Sequence, residues 1–99
     1  MSLLRIHEVT PLEEFRLRLT LTDGSVVERD VAELLVGPVF DSLRSDRGAF
    51  RNVKVEAGTL VWPNGADLDP DVLIWGGASP TTPAQPPQSL RLKSPSLVR

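Results

Sequence analysis

The chain has 99 residues, enough for one domain, and a formal net charge of −2. It contains no Cys, which excludes disulfides, thiol nucleophiles and thiolate metal sites. The opening "MSLLRIHEVTPLEEF" has no apolar run long enough for a signal peptide, and no segment reaches the length of a membrane span, so a cytoplasmic protein is expected.

The small net charge hides an asymmetry. Residues 1–75 hold 8 Lys and Arg against 13 Asp and Glu, a balance of −5, whereas residues 76–99 hold Arg91, Lys93 and Arg99 with no acid. An acidic body repels nucleic acid phosphate, and three tail cations are too few for a strong electrostatic footprint, so nucleic acid binding is disfavoured. Composition also changes at "GGASPTTPAQPPQ", where five of the nine prolines follow Gly77. The expected organisation is one α+β domain over 1–75 and a Pro-rich, basic tail over 76–99, extended or disordered.

In chain order, "LLRIHEV" is a candidate first strand, closed by Thr10-Pro11. "FRLRLTL" alternates Phe15, Leu17, Leu19 and Leu21 against Arg16, Arg18 and Thr20, the clearest strand signal in the chain. "TDG" turns it into "SVVERDV". A three-residue loop with Gly24 in the left-handed position sets Leu19 opposite Val27, Phe15 opposite Val31, Arg18 opposite Glu28 and Arg16 opposite Asp30. A two-residue loop would instead oppose Arg18 with Arg29, so the three-residue form is preferred.

"DVAELL" carries Asp30 with Glu33 three residues on, a capping-box spacing that predicts one short helix ending near Gly37. "GPVFDSLRS" places Pro38 at a first helical position, with Val39, Phe40 and Leu43 on an apolar side. "DRGAF" reads as a connector whose Phe50 enters the core, and "NVKVEAGTLVW" as a second hairpin turning at Ala57-Gly58. "DPDVLIW" opens a last short helix. The fold class is therefore α+β: a small, mainly antiparallel sheet of two hairpins plus an N-terminal strand, with two or three short helices.

The one cluster that merits a chemical test is "WPNGADLDPDVL" at 62–73, with Asp67, Asp69 and Asp71 at alternate positions. A calcium loop counted from Asp67 would need Gly at its sixth place and an acid at its twelfth, where Val72 and Ala78 stand. Structural roles account for most of the stretch. Pro63 ends the strand of Trp62, Asn64-Gly65 supplies a turn, Asp69 caps a helix that begins at Pro70, and Asp71 meets the helix dipole. Asp67 is left without such a role. His7 is the sole histidine and reads as a surface residue, no Ser-His-Asp set can be assembled, and "GG" at 76–77 neither follows a strand nor opens a helix. No enzyme activity and no cofactor are expected.

Trp62 and Trp75 close the small core in one reading and anchor an interface in the other. The tail also has two readings: a solvated end, or an extended segment whose Leu90, Leu92, Leu97 and Val98 add to a sheet edge of its own dimer or of a partner.

Three stretches, "HEVTPLEEF", "RLRLTLTDGSVVERDV" and "GPVFDSLRSDRGAFRNVKVEAGTLVWPNGADLDPDVL", together resemble the bacterial domain-of-unknown-function family 2442 of small uncharacterised proteins. The resemblance covers about residues 5–75 and implies a small α+β unit. Some relatives carry a helix-turn-helix domain after the unit, a form from which this Pro-rich ending departs, and some look like the antitoxin half of a toxin–antitoxin pair. The expected function is a non-enzymatic interaction module, antitoxin-like in one form, that engages a protein partner or itself as a homodimer. Trp62, Asn64, Asp67, Trp75, Leu90 and Leu92 are its candidate interaction residues. The alternative is a small-ligand or divalent-metal-binding protein using Asp67, Asp69 and Asp71.

Overall fold

A computed structural model describes residues 4–76, 85–88, 90 and 92. Two three-stranded antiparallel sheets and three short α-helices form an α+β fold. The first sheet runs β1 (Ile6–Pro11), β2 (Arg16–Leu21), β3 (Val26–Asp30) in that spatial order. A 3-10 turn over Ala32–Leu34 leads to α1 (Pro38–Ser45) and α2 (Arg47–Arg51). The second sheet holds β4 (Lys54–Glu56), β5 (Thr59–Val61) and β6 (Asp67–Leu68), after which α3 (Pro70–Trp75) closes the described domain.

Alternation dictates the first sheet. Leu17, Leu19 and Leu21 are buried on one face of β2, and Val27 faces Leu19 in the register expected for a three-residue loop. Gly24 sits at φ 90°, where a side chain would be strained. Its N–H donates to Leu21 O at 2.9 Å, and Asp23 Oδ1 accepts from the backbone of Ser25 at 2.9 Å and from its hydroxyl at 2.6 Å. Arg18 does stand opposite Glu28 and Arg16 opposite Asp30, yet both guanidinium groups converge on Glu28. Asp30 is drawn away because its Oδ1 accepts the Ala32 N–H at 3.0 Å.

The next segment differs from the expected helix. "DVAELL" yields only a 3-10 turn, because Asp30 still belongs to β3 and Gly37, at φ 96°, begins the entry to α1. "DRGAF" is a helix rather than a connector: Asp46 caps it by accepting the Ala49 N–H at 3.2 Å. Its Phe50 is fully buried, edge-on to Phe15 and tilted against Trp62. β6 is a third strand of the second sheet, formed when the Asn64-Gly65 turn returns the chain beside β5 with Asp67 paired to Val61.

One continuous core joins the two sheets to the helices, from Ile6 and the β2 leucines through Leu43, Phe50 and Leu60 to Leu73 and Ile74. Leu92, from the far end of the chain, is buried in the same cluster.

Candidate interaction site

The 62–71 stretch is built as its residue types demand. Trp62 is 3% exposed and its indole N–H donates to Phe50 O at 2.8 Å, so a large apolar body and its one polar atom are both satisfied inside. Asn64 works on both sides of its amide. Its Oδ1 accepts the Ala66 N–H at 3.0 Å, closing the turn, while Nδ2 donates to Val39 O at 2.9 Å and to Ser42 Oγ at 3.2 Å. The turn is thereby fastened to the first turn of α1.

The three aspartates separate by task. Asp69 Oδ1 accepts the Asp71 N–H at 2.8 Å as the cap of α3, with Pro70 as its first residue. Asp71 lies 3.4 Å from Arg5 Nη1. Asp67 is exposed on β6 and, with the other two acids, Arg5 and Thr59, lines an open depression. Among the described residues lining it, Arg5 supplies the positive charge. Among the described residues no group of three or more His, Asp or Glu is arranged to hold a metal ion.

An apolar surface lies beside the Asn64 turn. Val36 is 49% exposed and Val39 43% exposed, on either side of Gly37 and the exposed Pro38, while Phe40 is half-buried and edge-on to Trp62. Val39 was expected on the apolar side of α1 with Leu43. It is one turn nearer the helix start, beyond the edge of the core that buries Leu43. The segment is held at both ends: Arg44 Nη1 donates to Ala32 O at 3.0 Å and Leu35 O at 3.2 Å, and Asn64 holds Val39 O. Next to it Ser42, Leu43, Ala49, Asn52, Pro63 and Asn64 line a small, mostly apolar cleft.

A second assembly surrounds Arg29, which composition and spacing did not single out. Arg29 lies on the inward face of β3 with Val27 and Val31, and it is 1% exposed. Its guanidinium has five N–H donors, and every acceptor is a main-chain carbonyl. Nε donates to Leu73 at 2.7 Å, Nη1 to Glu28 at 3.0 Å and Gln88 at 3.3 Å, and Nη2 to Ile74 at 3.1 Å and Pro87 at 2.6 Å. Burial pushes its pKa below the usual arginine value, because desolvation penalises the cation. The carbonyls of Leu73 and Ile74 end α3 and carry the negative end of its dipole, which suits a cation there. The signal was present in the alternation Val27-x-Arg29-x-Val31, a charge in a core-facing register position.

The remaining candidates fall beside this assembly. Trp75, in the last turn of α3, is half-buried against the core. Leu90 packs on Gly76, where an added Cβ would meet Leu90 Cδ1 at 3.3 Å, and Leu92 is 3% exposed. Leu97, Val98 and the three tail cations lie outside the described residues, as do residues 77–84.

Taken together, the architecture defines a small α+β domain of two three-stranded sheets whose described polar side chains are largely engaged in caps, turns and clamps. The chain belongs to the family described as protein of unknown function (DUF2442), whose model matches residues 6–78. No curated protein and no solved structure matches the chain significantly. Among the described residues no helix is long and apolar enough to cross a membrane.

Proposed function

We propose that the protein is a non-enzymatic interaction module that binds a protein partner through the surface of Val36, Pro38, Val39 and Phe40. The observation that supports this is the exposure of Val36 and Val39 on a segment tied by hydrogen bonds from Arg44 and Asn64. Exposed apolar side chains lose little conformational freedom on docking when their backbone is already fixed, and covering them releases about 25 cal/mol per Å². The adjoining cleft at Pro63 and Ala49 offers a recess for one anchoring side chain of the partner.

The test is a paired substitution, Val36→Asp with Val39→Asp, in the full chain. Both positions are exposed, so the melting temperature stays near that of the wild type while a stoichiometric partner is lost from native co-purification. A Lys54→Ala control on β4 retains it. If the partner is a toxin, as in the antitoxin-like form of this reading, the double variant also fails to relieve growth arrest. Retention of the partner by the double variant refutes the proposed surface.

The divalent-cation alternative has weaker support. Asp69 already caps α3 and Arg5 stands at Asp71, so two of the three carboxylates have partners before any ion arrives.

A further inference from the structure

Residues 85–88, 90 and 92 lie beyond the family-matched residues 6–78, yet they are bound to the chain's own domain. The carbonyls of Pro87 and Gln88 accept from Arg29, and Gln88 Nε2 donates to Val26 O at 3.1 Å. Pro86 is buried, Leu90 packs on Gly76 and Leu92 enters the core cluster. Val26 and Arg29 both stand on β3, the outer strand of the first sheet. An outer strand offers main-chain groups to any extended segment unless something covers it. Here the cover is the segment that carries Pro86, Pro87, Gln88, Leu90 and Leu92.

Cover and domain are held unequally. When the segment lifts, Arg29 keeps its bonds to Leu73, Ile74 and Glu28, so the tie between β3 and α3 stands without it. Pro87 and Gln88 are exposed residues, and their carbonyls exchange Arg29 for water on release. Leu90 and Leu92 border a recess of about 250 Å³ that they share with Asp30, Ala32 and Glu33. Leucines beside such a gap forgo part of the dispersion contact that close packing gives the rest of a core. A unit with few buried apolar contacts opens at a lower free energy than the whole domain.

We propose that this segment is a strap that opens as one unit on a folded domain and, while closed, keeps β3 from pairing with other extended segments. Opening bares Val26 O, two N–H groups of Arg29 and the seat of Leu92 at one stroke, because Pro87, Gln88 and Leu92 leave together. The strap is separate from the Val36–Phe40 surface and stands whether or not that surface binds a partner.

Limited trypsin digestion of the full, unmodified chain, read bond by bond by mass spectrometry, tests the strap. Cleavage follows the population of the locally opened form when opening and closing are fast. A cut after Arg91 requires release of the buried Leu92, whereas a cut after Arg18 requires loss of the first sheet. The initial rate after Arg91 is expected to exceed that after Arg18 by about tenfold or more, and the product ending at Arg91 to keep folded tryptophan fluorescence. Gln88→Ala removes the bond to Val26 from an exposed position. It is expected to speed the Arg91 cut by about two- to tenfold, the worth of one hydrogen bond, while the Arg18 rate and the urea midpoint stay at their wild-type values. Equal rates at the two bonds, unfolding on the Arg91 cut, or a Gln88→Ala variant that leaves the Arg91 rate unchanged or speeds both bonds alike each overturn the proposal.

Discussion

Replacing Arg29 by Met tests whether a buried guanidinium with only carbonyl partners holds α3 and the returning segment to β3. Methionine keeps much of the apolar stem and removes all five bonds. The carbonyls of Leu73 and Ile74 then lose their buried Arg29 donors, at about 1–3 kcal/mol each. Against this, the variant no longer desolvates a charge, which returns part of that cost. The carbonyls of Pro87 and Gln88 can turn to water and add little. The net loss is about 2–4 kcal/mol, a large share of the ~5–15 kcal/mol typical of a domain. At about 4–8 °C per kcal/mol for this size, the melting temperature falls by roughly 8–32 °C. Urea unfolding followed by tryptophan fluorescence is the assay, because Trp75 lies in the last turn of α3 and Trp62 in the core. Arg29→Lys should recover less than half of the loss, since three donors on one nitrogen cannot span the five acceptors. A Met variant within about 0.5 kcal/mol of the wild type, or a Lys variant indistinguishable from it, would refute the clamp.

Three further outcomes are expected. Asn64→Ala removes the turn closure and both ties to α1, lowering stability by about 1–2 kcal/mol in urea unfolding, with Asn64→Asp recovering the turn bond but not the ties. Bonds donated by the Ser25 hydroxyl and N–H hold the Asp23 carboxyl below its ordinary value of 3.8, so the stability it contributes is present above that value and lost as the pH falls through the lower, folded one. Carboxyl NMR titration checks this: the Asp23 midpoint lies below 3.8 and rises in Ser25→Ala, and a midpoint at or above 3.8 in the wild type contradicts it. Millimolar Ca²⁺ or Mg²⁺ leaves the melting temperature unchanged, and Asp67→Ala changes stability by no more than about 0.5 kcal/mol; a metal-dependent rise that Asp67→Ala abolishes would revive the acid cluster.

Much of the fold is legible where a local rule has one answer. The Leu17-Leu19-Leu21 alternation and Gly24 together leave a single register for the β2–β3 hairpin, and Asp69-Pro70 leaves one start for α3. Legibility ends where an element is too short to show its period. β6 has two residues, so no alternation exists to read, and α2 has five with Gly48 among them, so only the Asp46 cap announces it. "DVAELL" shows the converse: a helix signal shortened because its capping residue was already needed in β3. The site was harder still. Val39 shares a helix face with Leu43, and no sequence rule says where the core stops along that face. Arg29 was visible as a charge in an inward register, but its partners are main-chain carbonyls of α3 and of the 85–88 segment, which carry no sequence signature at all.

The interaction surface is tested most directly by placing a photo-crosslinking residue at Val39 in the full chain and irradiating it in the native cell. One discrete adduct is expected from position 39, absent when the same residue stands at Arg18 on the outer face of the first sheet, and lost when Val36→Asp is added. No adduct from Val39, or the same adduct from both positions, would contradict it.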